Sequence, residues 1–205
     1  LALRLMAYAG NLGVRLENSE PEDLVEYTVE DYNETPEGYP VELINGHFFV
    51  MESPNARHQS MVMALSAEIF NHIQKKKMKC RVFPGPFDVE LPTEKATVVI
   101  PDVTVICNPD VLRKKRCEGT PDWVIEILSA STKGKDLKEK LSVYKESGVR
   151  EYWIVDQFRN EVWVYKREGT DTAFYYEEPT VYPFSEMRRY ISLLERTHEL
   201  IRNNN

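Results

Sequence analysis

The run Trp123–Val124–Ile125–Glu126–Ile127–Leu128 constrains the fold more than any other stretch of this chain. Its apolar residues read as a strand buried on both faces, the kind found where helices cover a sheet from either side. Glu126 stands in the middle of it. An isolated carboxylate costs many kcal/mol to desolvate unless it is protonated, paired or bound to a metal. The segment TVVIPDVTVI (97–106) repeats the anomaly, with Asp102 set in an apolar strand directly after Pro101. Proline lacks the ladder N–H, so Pro101 predicts a bulge, strand end or edge at which a side chain is re-aimed.

Glu126 follows Asp102 by one loop and one strand, so adjacent strands can bring the two carboxylates close together. Facing carboxylates repel unless something intervenes. One shared proton is a resolution. A divalent cation is another, and oxygen-only ligands suit Mg²⁺ or Mn²⁺ rather than zinc. A separate buried ion pair with Arg or Lys for each acid is the third. The residues alone leave all three open.

The rest of the chain fills in around these strands. PEDLVEYTVEDY within 20–35 predicts a short helix, and VELI-NG-HFFVM (41–51) a hairpin, since Asn-Gly suits both positive-φ positions of a type I′ turn. SPNARHQSMVMALSAEIFNHIQKKK follows with a helical period. His58, Met61, Val62, Leu65, Ile69, His72 and Ile73 fall on one stripe, and Ser53-Pro54-Asn55 supplies the start. CRVFPGPFDVEL (80–91) reads as a further strand. KDLKEKLSVYKESG (135–148) is a helix with Leu137, Leu141 and Tyr144 on its apolar stripe and Gly148 at its end. REYWIVD (150–156) and EVWVYKR (161–167) make a second hairpin, with Tyr144, Tyr152 and Trp153 as core aromatics. The order predicts an α/β domain with a mixed sheet flanked by helices, in which helix 135–148 crosses right-handed between two parallel strands. A single domain over 1–205 is expected, with an extension at 1–20 and a helical tail at 185–205, because no Gly/Ser-rich or Pro-rich linker divides the chain.

Composition narrows the setting. With 42% hydrophobic and 29% charged residues the chain is ordinary for a globular protein, and no apolar run is long enough to cross a membrane. LALRLMAYAG is interrupted by Arg4 and is not read as a secretory signal. Three cysteines without CxxC or zinc-ligand spacing, Cys107 among the core residues, predict a reducing, cytoplasmic setting. A net charge of −7 and a pI near 5.3 count against a nonspecific nucleic-acid binder. Two basic clusters run the other way: Lys75, Lys76 and Lys77, and Arg113, Lys114, Lys115 and Arg116. Each is either a solvated surface or a phosphate contact.

On helix 135–148, Lys140 lies about 60° from the apolar centre and Asp136 about 100°, on the same side. Lys140 can therefore reach over the sheet edge toward Glu126. On pattern alone the plainer reading is that it snorkels and pairs with Asp136 one turn away, worth a few tenths of a kcal/mol.

These residues together resemble the PD-(D/E)xK nuclease superfamily, and more narrowly its bacterial restriction-endonuclease-like branch. The matching strings are VELINGHFFVM, SPNARHQ at a helix start, PDVTVI, DWVIEILSAST, then Asp136, Lys140, Tyr144 and GVREYWIVD, over roughly 24–165. The resemblance implies that Asp102 and Glu126 bind Mg²⁺ (or Mn²⁺) and that a lysine assists the attacking water. The superfamily places that lysine two residues after the Glu, where this chain has Leu128, so the resemblance points instead to Lys140. Glu42 and His58 also match positions typical of the branch; a solvent-side strand residue and a core histidine are their plain alternatives. The implied activity is Mg²⁺-dependent endonucleolytic hydrolysis of DNA, in a protein that could act as a homodimer. The alternative is an inactive nucleic-acid-binding or assembly module of the same fold.

Overall fold

The computed structural model describes residues 26–36, 38–129, 135–170 and 174–193. Among them, a short helix α1 (Val29–Asn33) opens the fold, its N-terminus closed by a capping box between Thr28 and Asp31. The predicted helix over 20–35 therefore appears only in its second half; the residues before 26 lie outside the described ones. Strands β1 (Val41–Ile44) and β2 (His47–Val50) form the expected hairpin, with Asn45 and Gly46 both at positive φ, 51° and 78°. The long helix α2 (Ala56–Lys76) starts at Asn55, whose side chain accepts the His58 N–H at 2.9 Å.

The next two predicted strands each break in two. CRVFPGPFDVEL becomes β3 (Arg81–Pro84) and β4 (Val89–Glu90), and TVVIPDVTVI becomes β5 (Val98–Val99) and β6 (Val103–Ile106). Then come β7 (Cys117–Glu118), β8 (Trp123–Ile127), helix α3 (Lys135–Glu146), β9 (Glu151–Asp156) and β10 (Glu161–Gly169). The described chain closes with β11 (Phe174–Tyr176), β12 (Thr180–Pro183) and helix α4 (Met187–Leu193). The predicted tail is helical through Leu193, and residues 194–205 lie outside the described ones.

The strands build two sheets. One runs β2-β1-β5-β4-β7; the other runs β11-β10-β9-β8-β6-β3, with β12 also on β10. Asp102 is thus not inside a strand, as the sequence suggested, but in the turn where the chain leaves the first sheet for the second. Proline at 101 cannot donate to a ladder, which is why pairing lapses there. Strands β8 and β9 are parallel, joined by the α3 crossover as expected.

Side chains of the second sheet alternate between two cores. Val103, Val105, Trp123, Ile125, Ile127, Trp153 and Val155 face α2 and α4. Val124, Leu128, Tyr152 and Ile154 pack with Val143 and Tyr144 of α3 and with the first sheet. Of the predicted α2 stripe, His58, Met61, Val62, Leu65, Ile69 and Ile73 are buried and His72 is half-buried. Tyr152 and Trp153 are fully buried core aromatics.

Among the described residues Cys80 and Cys107 are joined in a disulfide, a pairing the cysteine spacing does not indicate, and Cys117 is free. The pairing of β3 with β6 explains it: Arg81 faces Ile106, so the next rung outward sets Cys80 beside Cys107. Spacing along the chain carries no trace of that rung. No described helix is long and apolar enough to cross a membrane.

Candidate active site

Antiparallel pairing of β6 with β8 ends at Val103 opposite Ile125. One residue further along each strand stand Asp102 and Glu126, which the register therefore sets opposite one another. The ladder does not continue between their backbones. Instead Asp102 Oδ2 accepts the Ile127 N–H at 2.7 Å, so the carboxylate takes the place of the missing strand neighbour. The same oxygen lies 3.1 Å from His58 Nε2 at the first turn of α2. That hydrogen bond raises the His58 pKa, against burial, which lowers it; the Asp102 and Glu126 charges add to the rise. The other ring nitrogen of His58 is buried without a partner among the described residues.

Glu126 meets α3. Its Oε1 accepts from Lys140 Nζ at 2.9 Å and from the Tyr144 hydroxyl at 2.7 Å. Lys140 and Tyr144 are one turn apart, so both reach the same oxygen from one helix face. Burial pushes the Glu126 pKa up to about 7, with Asp102 and Glu42 contributing in the same direction and Lys140 and Tyr144 opposing. Tyr144 is driven well above the ordinary tyrosine range, by burial first and then by the Glu126 charge.

Lys140 also faces the first sheet, with Glu42 Oε1 2.9 Å from Nζ. That oxygen accepts the Ile100 N–H at 2.7 Å as well. One ammonium thus joins a carboxylate from each sheet. Burial opposes the charge on Lys140, but Glu126 and Glu42 outweigh it and hold the pKa above the usual lysine value. Glu42 is buried rather than on the solvent side of its hairpin. The side chain of Asp136, the rival partner for Lys140, lies outside the described ones.

Asp102, Glu126, Lys140, Glu42 and His58 therefore converge from four separate elements and the turn between β5 and β6, although they span about a hundred residues of sequence. Tyr144 joins them. The sequence places it in the core, and it is buried there, but its hydroxyl belongs to the charge cluster; the four-residue spacing from Lys140 is the signal. The Asp102 side chain is 19% exposed, against 10% for Glu126 and 11% for Lys140. Asp102 is the member that lines a cleft of about 820 Å³, reached between residues 32–33, 35–36, 38–40, 51–54, 85–88 and 114–116.

The basic clusters separate. Lys114, Lys115 and Arg116 line this cleft. Arg116 is engaged by Glu90 at 2.8 Å and by Asn33 at 2.7 Å, and Arg113 lies 3.5 Å from Glu118. Lys75, Lys76 and Lys77 lie at the far end of α2, roughly 27 Å along the helix axis from His58. They are exposed but take no part in the cleft.

Comparison with known proteins agrees with this arrangement of elements. The family model Uma2, described as "Putative restriction endonuclease", matches residues 29–195. Among solved structures, the chain is similar to a "putative nuclease belonging to DUF820" from Anabaena variabilis ATCC 29413. The two are 20% identical, with a TM-score of 0.62 over 76% of this chain and 84% of that one, a likeness of fold. No curated protein matches the chain.

Proposed function

This chain belongs to the Uma2 family, and from that premise we propose that it is a metal-dependent endonuclease hydrolysing phosphodiester bonds in DNA. The observation that carries the reading is the meeting of Asp102, Glu126 and Lys140 where the β6–β8 ladder lapses beside the cleft. Asp102 and Glu126 would hold Mg²⁺ or Mn²⁺. Their donor set fits. In each acid the protein donors converge on one oxygen, Oδ2 of Asp102 and Oε1 of Glu126, and among the described residues no donor meets the other. The described residues include no group of three His, Cys, Asp or Glu side chains that could hold a metal, so the two acids would be the protein's whole share of the ligands. Two carboxylates with the remaining positions left to water suit Mg²⁺, which is usually bound through one or two carboxylates. When bound, such a cation polarises a scissile phosphate and lowers the pKa of a coordinated water.

The chain's own residues supply the rest. Lys140, kept cationic by two carboxylates, orients the attacking water or stabilises charge growing on the phosphoryl oxygens. Glu42 holds Lys140 in place from the other sheet. The Ile127 N–H and His58 fix the carboxylate of Asp102, the member nearest the cleft. The test is cleavage of plasmid and single-stranded DNA with Mg²⁺ or Mn²⁺. Wild type should cut and Asp102→Asn should not. A wild-type protein inert with every metal, or an active Asp102→Asn, overturns the reading.

A second reading, an inactive nucleic-acid-binding module, draws on one observation. Glu126 Oε1 is already shared by Lys140 and Tyr144, as in a purely structural ion pair. Gel shifts unchanged by EDTA, with no cleavage, would favour it.

A further inference from the structure

The cleft beside Asp102 has features that bear on which form of nucleic acid enters it. Its lining carries Lys114 and Lys115, adjacent in sequence and both exposed. Among the described residues neither meets a carboxylate, unlike their neighbours Arg113 and Arg116. Tyr39 and Phe87 also line it, both half-buried. The Phe87 ring stacks on Phe83, with centroids 4.5 Å apart and planes 12° from parallel, so a further flat ring can extend an existing stack. Acidic groups are present too: Glu52 and Asp88 share the lining, and Asp88 is hydrogen-bonded to the Tyr32 hydroxyl at 3.1 Å.

Resting on the nuclease reading of this site, we propose that the cleft takes a flexible single strand rather than a duplex. Lys114 and Lys115 would hold two of its phosphates, and Tyr39 and Phe87 would meet its bases. Three observations support this. A recess of about 820 Å³ is the size of a small-ligand cleft. Duplex DNA is a stiff rod, with a persistence length of about 50 nm, and does not bend into such a recess, whereas a single strand does. Among the described residues the positive charge on the lining that meets no carboxylate amounts to two lysines in a protein of net charge −7, too little to track a duplex backbone but enough for two phosphates. Aromatic faces beside a basic strip are how single strands are held without sequence preference.

The experiment is fluorescence anisotropy in EDTA, so that nothing is cut. The full chain is titrated into a short fluorescein-labelled oligothymidylate and, separately, into a labelled hairpin duplex, at several salt concentrations. The single strand should bind at least ~10-fold more tightly. Its log affinity should fall with log salt at a slope of about −1.4, two contacts at about 0.7 each. Lys114→Ala and Lys115→Ala, exposed positions that leave the fold intact, should each flatten that slope by about 0.7. Phe87→Leu should weaken binding roughly 10-fold without changing the slope. Equal or tighter duplex binding overturns the proposal, as do lysine variants with unchanged slope. The two readings fail separately. Single-strand binding without cleavage by any metal leaves this proposal standing and sinks the nuclease; duplex cleavage indifferent to Lys114 and Lys115 does the reverse.

Discussion

Replacing Lys140 with Met removes the ammonium that Glu42 and Glu126 both face at 2.9 Å and leaves two buried carboxylates facing one another. At that distance and an effective dielectric near 20, each attraction is about 6 kcal/mol. Most of it only offsets the desolvation of three charged groups, so the loss on breaking the cluster should be about 3–5 kcal/mol. For a chain of this size that lowers the melting temperature by roughly 10 °C. The assay is urea unfolding in EDTA, followed by the fluorescence of the three tryptophans. Glu126→Gln should cost less, about 1–2 kcal/mol, because the amide oxygen still accepts from Lys140 and Tyr144 and Lys140 keeps Glu42. The double variant Lys140→Met/Glu126→Gln should then lose about 1–3 kcal/mol less than the sum of the single losses. A Lys140→Met protein within ~1 kcal/mol of wild type, or strictly additive losses, would refute the buried-clamp reasoning.

Three other outcomes follow from neighbouring features. A Cβ on Gly85 would stand 2.9 Å from the Pro101 carbonyl, next to Asp102, so Gly85→Ala should depress cleavage far more than it lowers the melting temperature. Glu151 is buried against the Trp153 indole N–H at 2.6 Å, and burial pushes its pKa from 4.5 up to about 7. Because the folded value is the higher one, its contribution is fully present below pH 4.5 and is lost as pH rises through about 7. Glu151→Gln should therefore be more stable than wild type at pH 8 by ~3 kcal/mol, and the gap should close by pH 4, measured by urea unfolding. Reducing Cys80–Cys107, which closes a loop of 27 residues, should lower stability by about 3.5 kcal/mol; comparing melts with and without dithiothreitol checks it.

Much of the fold is readable from short-range pattern. The Asn45–Gly46 turn, the buried stripe of α2 and the α3 crossover between parallel strands all appear where local chemistry places them. Pro101 and Asp102 show where reading along the chain runs short. The proline marks a change of strand, but nothing local says that β5 and β6 go to different sheets. Helix geometry puts Lys140 within reach of Glu126, but by pattern alone Asp136 is the plainer partner. Its second partner, Glu42, sits on the other sheet and depends on how the two sheets pack. The disulfide shows the same limit, since it follows from the β3–β6 register rather than from cysteine spacing.

The order of residues by itself determined which segments are apolar on one face or two, where helices begin, and which polar groups stand anomalously inside apolar runs. Those are consequences of periods of two and 3.6 residues, which act over a single element. Tertiary structure alone decided which of those polar groups meet. The rung opposing Asp102 to Glu126, the ammonium shared between two sheets, and the division of the basic residues into a cleft pair and a remote helix end depend on strand register and sheet packing. Contacts between distant residues form only after chain segments have been brought together, so no local period encodes them.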